Sequence, residues 1–233
     1  RNTAGFRALS EEVYAPESYK FTKVMYQEHP DIKKLTFVHK GRMLPLISKG
    51  HDYDLTSNIF EKLDNIVFFE KKPSDGNDYI RIEGRKDNKR CFRWIKKAYI
   101  AAHENLDKYK MLFPKANGSG RFGEEITMPL IAEPNEGHTQ TFISIGKYSS
   151  KEEVENEIKY IKTKFARAML GILKVTQDNK KAVWQYVPIQ DFTLNSDIDW
   201  SKSIHEIDIQ LYKKYGLDKK EVEFIEKNVK GMY

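Results

Sequence analysis

The 233-residue chain is expected to adopt an α+β fold: a twisted, mostly antiparallel sheet packed on a long amphipathic helix, with a helical C-terminal tail. Three observations predict it. Tyr79–Glu83 and Arg90–Ile95 alternate apolar and polar residues, the period of half-buried strands. Val154, Ile158, Ile161, Phe165, Met169 and Ile172 follow one another at steps of three and four, which places them on one face of a helix. Mixed strands are followed by helices gathered toward the C-terminus.

Taken in order, residues 11–25 mix polar and aromatic residues around Pro16, which suits loops and a short helix. Leu35–Val38 and Met43–Ile47 are expected as short strands around Lys40-Gly41-Arg42. Thr56–Leu63 is expected as a helix capped by Asp54 or Thr56, and Asn65–Phe69 as an apolar strand. Pro73–Gly76 has turn composition. Residues 79–97 form a hairpin with Asp87-Asn88 at its tip. Ala98–Leu106 is expected as a helix, Lys110–Pro114 as a strand, and Ile126–Ala132 as a strand bent by Pro129. Phe142, Ile143 and Ile145 mark a buried strand feeding the long helix 150–174, which Ser150 and Glu153 open as a capping box. Val183–Val187 is expected as a strand closed by Pro188, and Asp197–Trp200 as the cap of a helix ending at Gly216. Asp218 and Glu221 cap the last helix, with Leu217 placed to staple onto Val222.

The length suits one or two domains, and a single domain over 1–233 is expected, mainly strands and loops over 1–150 and mainly helical over 150–233. A soft division falls between 146 and 150. The start at Arg1 instead of Met suggests a segment of a longer protein. Hydrophobic residues at 39% supply a core and charged residues at 32% a strongly charged surface. The single cysteine, Cys91, excludes an internal disulfide and a cysteine-rich zinc site, and fits a reducing, cytoplasmic location. No histidine pair has metal-ligand spacing, and no metal ligand set is assigned. No run of eighteen apolar residues could span a membrane.

The formal charge of +6 is concentrated. Between Arg81 and Lys97 stand eight basic residues (Arg81, Arg85, Lys86, Lys89, Arg90, Arg93, Lys96, Lys97) against Glu83 and Asp87, a local excess of six. Cations at this density on a two-stranded ribbon suit phosphates and a DNA groove. Phe92 and Trp94 interleave with them and are expected to face the core. The plainer alternative is a solvated hairpin. Lys159, Lys162, Lys164 and Arg167 give the long helix a basic side, which solvation alone would explain.

Gly118–Gly123 matches G-x-G-x-x-G, but a strand-like run with Pro129 follows where a dinucleotide site needs a helix. The loop is better understood as a tight turn whose backbone N–H groups, with Lys115, Asn117, Ser119 and Arg121, can approach a phosphate or a groove. Asp54, Glu70 and Lys72 have the D-x15-E-x-K order of a magnesium-dependent nuclease, a loose pattern. Asp191, Asp197 and Asp199 are better explained as capping and loop residues than as a metal cluster.

KANGSGRFGE (115–124), TFISIG (141–146), KYIKTKFARAMLGILK (159–174), TQDN (176–179) and VPIQDFTLNSDIDW (187–200) together resemble the C-terminal target-recognition region of bacterial type II, type IIG-like, restriction–modification adenine-specific DNA methyltransferases. The resemblance covers roughly residues 80–230. It implies sequence-specific recognition of double-stranded DNA, a methyltransferase domain in the same parent chain, and S-adenosylmethionine as the parent's cofactor, with or without endonuclease activity. The family's F-x-G-x-G loop and its N-P-P-Y or D-P-P-Y tetrapeptide are missing here, so no catalytic residue and no cofactor is assigned to this segment. Phosphate contacts are expected from Arg85, Lys86, Lys89, Arg90, Lys96 and Lys97. Base readout is expected from Arg81, Arg93, Asn117, Ser119 and Arg121, with Lys115 beside them. The alternatives are the Asp54/Glu70/Lys72 nuclease and a protein-interaction domain built on helix 150–174.

Overall fold

A computed structural model describes residues 6–232. After a 3-10 turn at Leu9–Glu12, the elements run β1 (Val13–Tyr14), α1 (Lys23–Glu28), β2 (Thr36–His39), β3 (Arg42–Pro45), α2 (Ile59–Leu63), β4 (Tyr79–Lys86), β5 (Lys89–Lys96), β6 (Tyr109–Pro114), β7 (Leu130–Ala132), β8 (Glu136–His138), β9 (Phe142–Tyr148), α3 (Lys151–Lys162), α4 (Lys164–Gly171), α5 (Ile204–Lys214) and α6 (Lys219–Asn228). The fold is α+β, as expected. The contacts group the chain into two compact units and do not part it at 146–150: one unit holds residues 16–107 and 134–142, the other the residues up to 15, 108–133 and those from 143 onward.

In the first of these units the sheet runs β5-β4-β8. β4 and β5 are antiparallel, while β8 joins β4 in parallel, Ile82 opposite Gly137. β2 and β3 form a separate hairpin where the sequence predicts it. The core gathers Tyr19, Phe21, Met25, Phe60, Phe68, Ile80, Ile82 and Ile95. Three expectations change here. The helix predicted over 56–63 covers only Ile59–Leu63, because Asn58 stands at its N-cap without a side-chain bond, while Asp54 is held by Lys20 and His51. Residues 65–69 turn instead of extending as a strand: Asn65 is left-handed (φ 58°), Phe68 bridges back to Asp64, and Phe69 pairs with Trp94. The helix predicted over 98–106 is only a 3-10 turn at Lys97–Tyr99, because the Ala101 N–H then goes to the carbonyl of Lys20.

In the other unit the sheet order is β1-β9-β6-β7, with β1–β9 and β6–β7 antiparallel. α3 packs on β6 and β7. The predicted strand 126–132 shrinks to β7, after Pro129, and 183–187 is a 3-10 turn and loop whose Val183 N–H bonds the Lys180 carbonyl. The helix predicted from Asp197 begins instead at Ser203, whose hydroxyl accepts from the Glu206 N–H. The Asp218–Glu221 box is present, and Leu217 and Val222 pack on the same core.

The long helix 150–174 is two helices. Ser150 and Glu153 open α3 as the capping box predicts. Thr163, with ψ 150°, then leaves the helical region. Its hydroxyl donates to the Tyr160 carbonyl at 2.6 Å and accepts from the Ala166 N–H at 3.1 Å, so it ends one helix and starts the next. Buried Asp208 on α5 completes the cap, accepting from the N–H groups of Lys164 (3.0 Å) and Phe165 (2.8 Å). Burial lifts its carboxyl to about 6, although these two hydrogen bonds pull it the other way. The basic side of the helix is spent inside the unit. Lys159 donates to the Trp200 carbonyl, Lys164 pairs with Glu226, and Arg167 is buried against the carbonyls of Lys162, Glu124 and Lys230.

Candidate nucleic-acid interface

The hairpin β4–β5 closes on Asp87 and Asn88, both left-handed (φ 48° and 61°), the arrangement whose twist matches that of the paired strands. The register puts Ile80 opposite Ile95, Ile82 opposite Arg93, Gly84 opposite Cys91 and Lys86 opposite Lys89 on one face. Ile80, Ile82 and Ile95 on that face are buried. Gly84 is needed there, since a Cβ would lie 2.6 Å from the Phe60 ring. The opposite face carries Arg81 with Trp94, Glu83 with Phe92, and Arg85 with Arg90.

The inward face decides the fate of two predicted contacts. Arg93 is 8% exposed, and its Nε donates to Asp64 at 2.9 Å. Lys86 bonds the other oxygen of Asp64. Burial works to raise the Asp64 carboxyl, but the two cationic hydrogen bonds outweigh it and hold the group below its ordinary value. Arg93 is therefore built into the fold and does not face a base. Lys86, expected at a phosphate, is an ion-paired strut.

Arg81 pairs with Glu136 on β8. Lys96 pairs with Glu28 at 2.7 Å, and Glu28 also accepts from the Tyr99 hydroxyl. Lys97 is exposed and donates to the Asn135 amide oxygen at 2.7 Å. At the tip, Arg85 donates to Asn88 at 3.0 Å, the Arg90 guanidinium lies 5.6 Å from the Phe142 ring centroid, and Lys89 projects beside them. These three are exposed and make no ion pair among the described residues. The sequence excess of six overlooks Asp64, Glu136 and Glu28, which lie outside the hairpin and return to it through the fold.

Phe92 and Trp94 correct a second expectation, because they stand on the outward face and not in the core. Phe92 is 38% exposed. It meets Trp94 edge-on (88°, 6.3 Å), and the Arg81 guanidinium lies 5.0 Å from its centroid. The Lys72 amino group lies 5.5 Å from the centroid of Trp94. Glu83 lies cross-strand from Phe92, and burial raises its carboxyl above the ordinary value.

In the other unit, the glycine loop is already filled. The Glu124 carboxylate accepts from the N–H groups of Ser119 (2.8 Å) and Gly120 (2.9 Å) and from the Ser119 hydroxyl (3.0 Å). Buried Lys174 donates to it at 3.2 Å. Burial opposes ionisation, yet these bonds hold the carboxyl at about 2. Gly120 (φ 87°) admits no side chain, since a Cβ would meet the Thr176 backbone at 2.4 Å. Asn117 is buried and accepts from Thr127. The loop thus supplies its own anion, to which Ser119 is committed, while the Asn117 amide oxygen is turned to Thr127. Lys115 and Arg121 remain exposed.

Two members of the nuclease set have other partners. Asp54 is taken by Lys20 (2.5 Å) and His51 (2.8 Å), and Lys72 stands over Trp94. Among the described residues, no group of three or more His, Cys, Asp or Glu side chains could hold a metal ion. No protein-family model matches the chain, and neither does any curated protein or solved structure.

Proposed function

We propose that this chain binds double-stranded DNA through the tip and outward face of hairpin β4–β5, as the target-recognition part of a restriction–modification adenine-specific methyltransferase acting in the bacterial cytoplasm. The observation that carries the reading is the tip: Arg85, Lys89 and Arg90 are exposed and free of carboxylate partners, while Arg81, Lys86, Arg93 and Lys96 are ion-paired within the fold. Phosphate contacts fall to these three, with Lys97 behind them. The resemblance to the methyltransferase family adds the partner domain and the parent's S-adenosylmethionine. Among the described residues no helix is long and apolar enough to cross a membrane.

The test is fluorescence anisotropy of the chain with a labelled random-sequence duplex across a salt series. Affinity should fall steeply with salt. Replacing Arg85, Lys89 and Arg90 together by Ala should flatten the log–log slope by about 3, since each phosphate neutralised contributes roughly 0.9. An unchanged slope would remove the hairpin from the interface.

A protein-interaction reading has one observation in its favour. A cavity of about 890 Å³ between α4 and α6 is lined by Phe122, Phe165, Met169, Tyr215 and Phe224. Ile172 and Phe224 on it are about half exposed. Within the main proposal its occupant is the methyltransferase domain of the parent chain. Absence of duplex binding at low salt would make that surface the primary function.

A further inference from the structure

The outward face of the hairpin holds more than a phosphate site needs. Phosphates require cations, and the tip supplies them. Two aromatic rings on the same face are not needed for phosphate contact, and the register that turns them outward also buries Ile80, Ile82 and Ile95, so their position is built into the hairpin. Their surroundings exclude an ordinary apolar contact. Phe92 and Trp94 are flanked by the cations of Arg81, Arg90 and Lys72, and an apolar protein surface laid over the rings would desolvate these charges. A nucleobase differs in this respect. It is a flat π-surface whose flanking phosphates reach outward to cations, so aromatics set among arginines and lysines suit an unpaired base. A paired base inside an intact duplex offers only its edge and cannot lie on a ring.

We propose that the Phe92–Trp94 face stacks an unpaired base, so that the DNA preferred by this hairpin carries a bulged or otherwise unstacked nucleotide. The inference rests on the nucleic-acid reading above and names the substrate class for the same face. Arg81, held by Glu136 and lying over Phe92, positions the ring from one side. Arg85, Lys89 and Arg90 hold the backbone on either side of the extruded base.

The experiment compares two labelled duplexes of one sequence, one fully paired and one with a single bulged 2-aminopurine, bound to the full chain in anisotropy titrations. Stacking one base should favour the bulged duplex by about 5- to 150-fold and quench 2-aminopurine fluorescence on binding. In Phe92→Leu and Trp94→Leu chains, checked for an unchanged circular dichroism spectrum, the affinity ratio should fall to within about twofold of unity and the quenching should be lost. The milder variant Phe92→Tyr, which keeps a ring, should retain both. Equal binding of the two duplexes by the natural chain, or a preference that survives in Phe92→Leu and Trp94→Leu, overturns the stacking proposal while leaving duplex binding standing. Failure to bind either duplex overturns both readings.

Discussion

Glu157 on α3 is wholly buried, and neither of its carboxylate oxygens meets a hydrogen-bond partner among the described residues. Its polar neighbour is the buried Tyr148 hydroxyl. Burial pushes the carboxyl to about 8, against an ordinary value of 4.5. A raised carboxyl pKa means that the folded protein holds a proton the unfolded chain releases first. The group's contribution is therefore fully present below about 4.5 and is lost as pH rises toward 8. Each unit of separation corresponds to about 1.4 kcal/mol, so stability should fall by up to about that amount per pH unit between 5 and 8. Glu157→Gln keeps the shape and cannot ionise. Thermal unfolding of both proteins at pH 5, 6.5 and 8 should show two Tm curves that lie close at pH 5 and separate steadily, with the variant more stable at pH 8. Asp208 also titrates in this window, but it is common to both proteins and cancels in the difference. Parallel curves, or a variant less stable at every pH by a constant amount, would refute a buried protonated carboxyl.

Arg93→Ala should cost about 2–3 kcal/mol in urea unfolding, because a charge-assisted bond is lost and half-buried Asp64 keeps only Lys86; a change in DNA sequence preference with no loss of stability would return Arg93 to base readout. Glu124→Gln should destabilise by about 1–3 kcal/mol at pH 7, since the loop N–H groups and Lys174 lose their anion. With the folded carboxyl depressed to about 2, that gap should narrow as pH falls below 4.5 toward 2, which chemical denaturation at pH 7 and pH 3 would check. Glu83→Gln removes the only carboxylate on the outward face of β4 and β5, and should tighten duplex binding a few-fold in the anisotropy assay; weaker binding would show that Glu83 supports the face.

What the sequence makes legible is local. The hairpin, its tip, the β2–β3 pair and the Ser150 and Asp218 caps depend on neighbours within a few residues, and all appear where the pattern puts them. Missed features depend on distant partners. Asp64 reaches Arg93 across 29 positions and Lys174 reaches Glu124 across 50, so no spacing rule shows that these cations are taken. The faces of β5 lie opposite to the sequence expectation for a related reason. Alternation says that Arg93 opposes Phe92 and Trp94, and hydropathy then sends the rings inward. The half-buried carboxylate of Asp64, on another segment, makes the opposite choice cheaper by giving Arg93 a partner.

The break at Thr163 has a consequence for how the chain acquires structure. An eight-residue helix such as α4 is too short to persist alone. The carboxylate that completes its first turn lies on α5, 44 positions downstream of Lys164. Neither helix can therefore report on its own intrinsic propensity. α4 gains its start only when α5 has docked, and α5 buries Asp208 only when α4 offers its N–H groups. The α3–α4–α5 assembly should form and melt as one cooperative step, with the best-protected amides of all three exchanging at a common opening free energy.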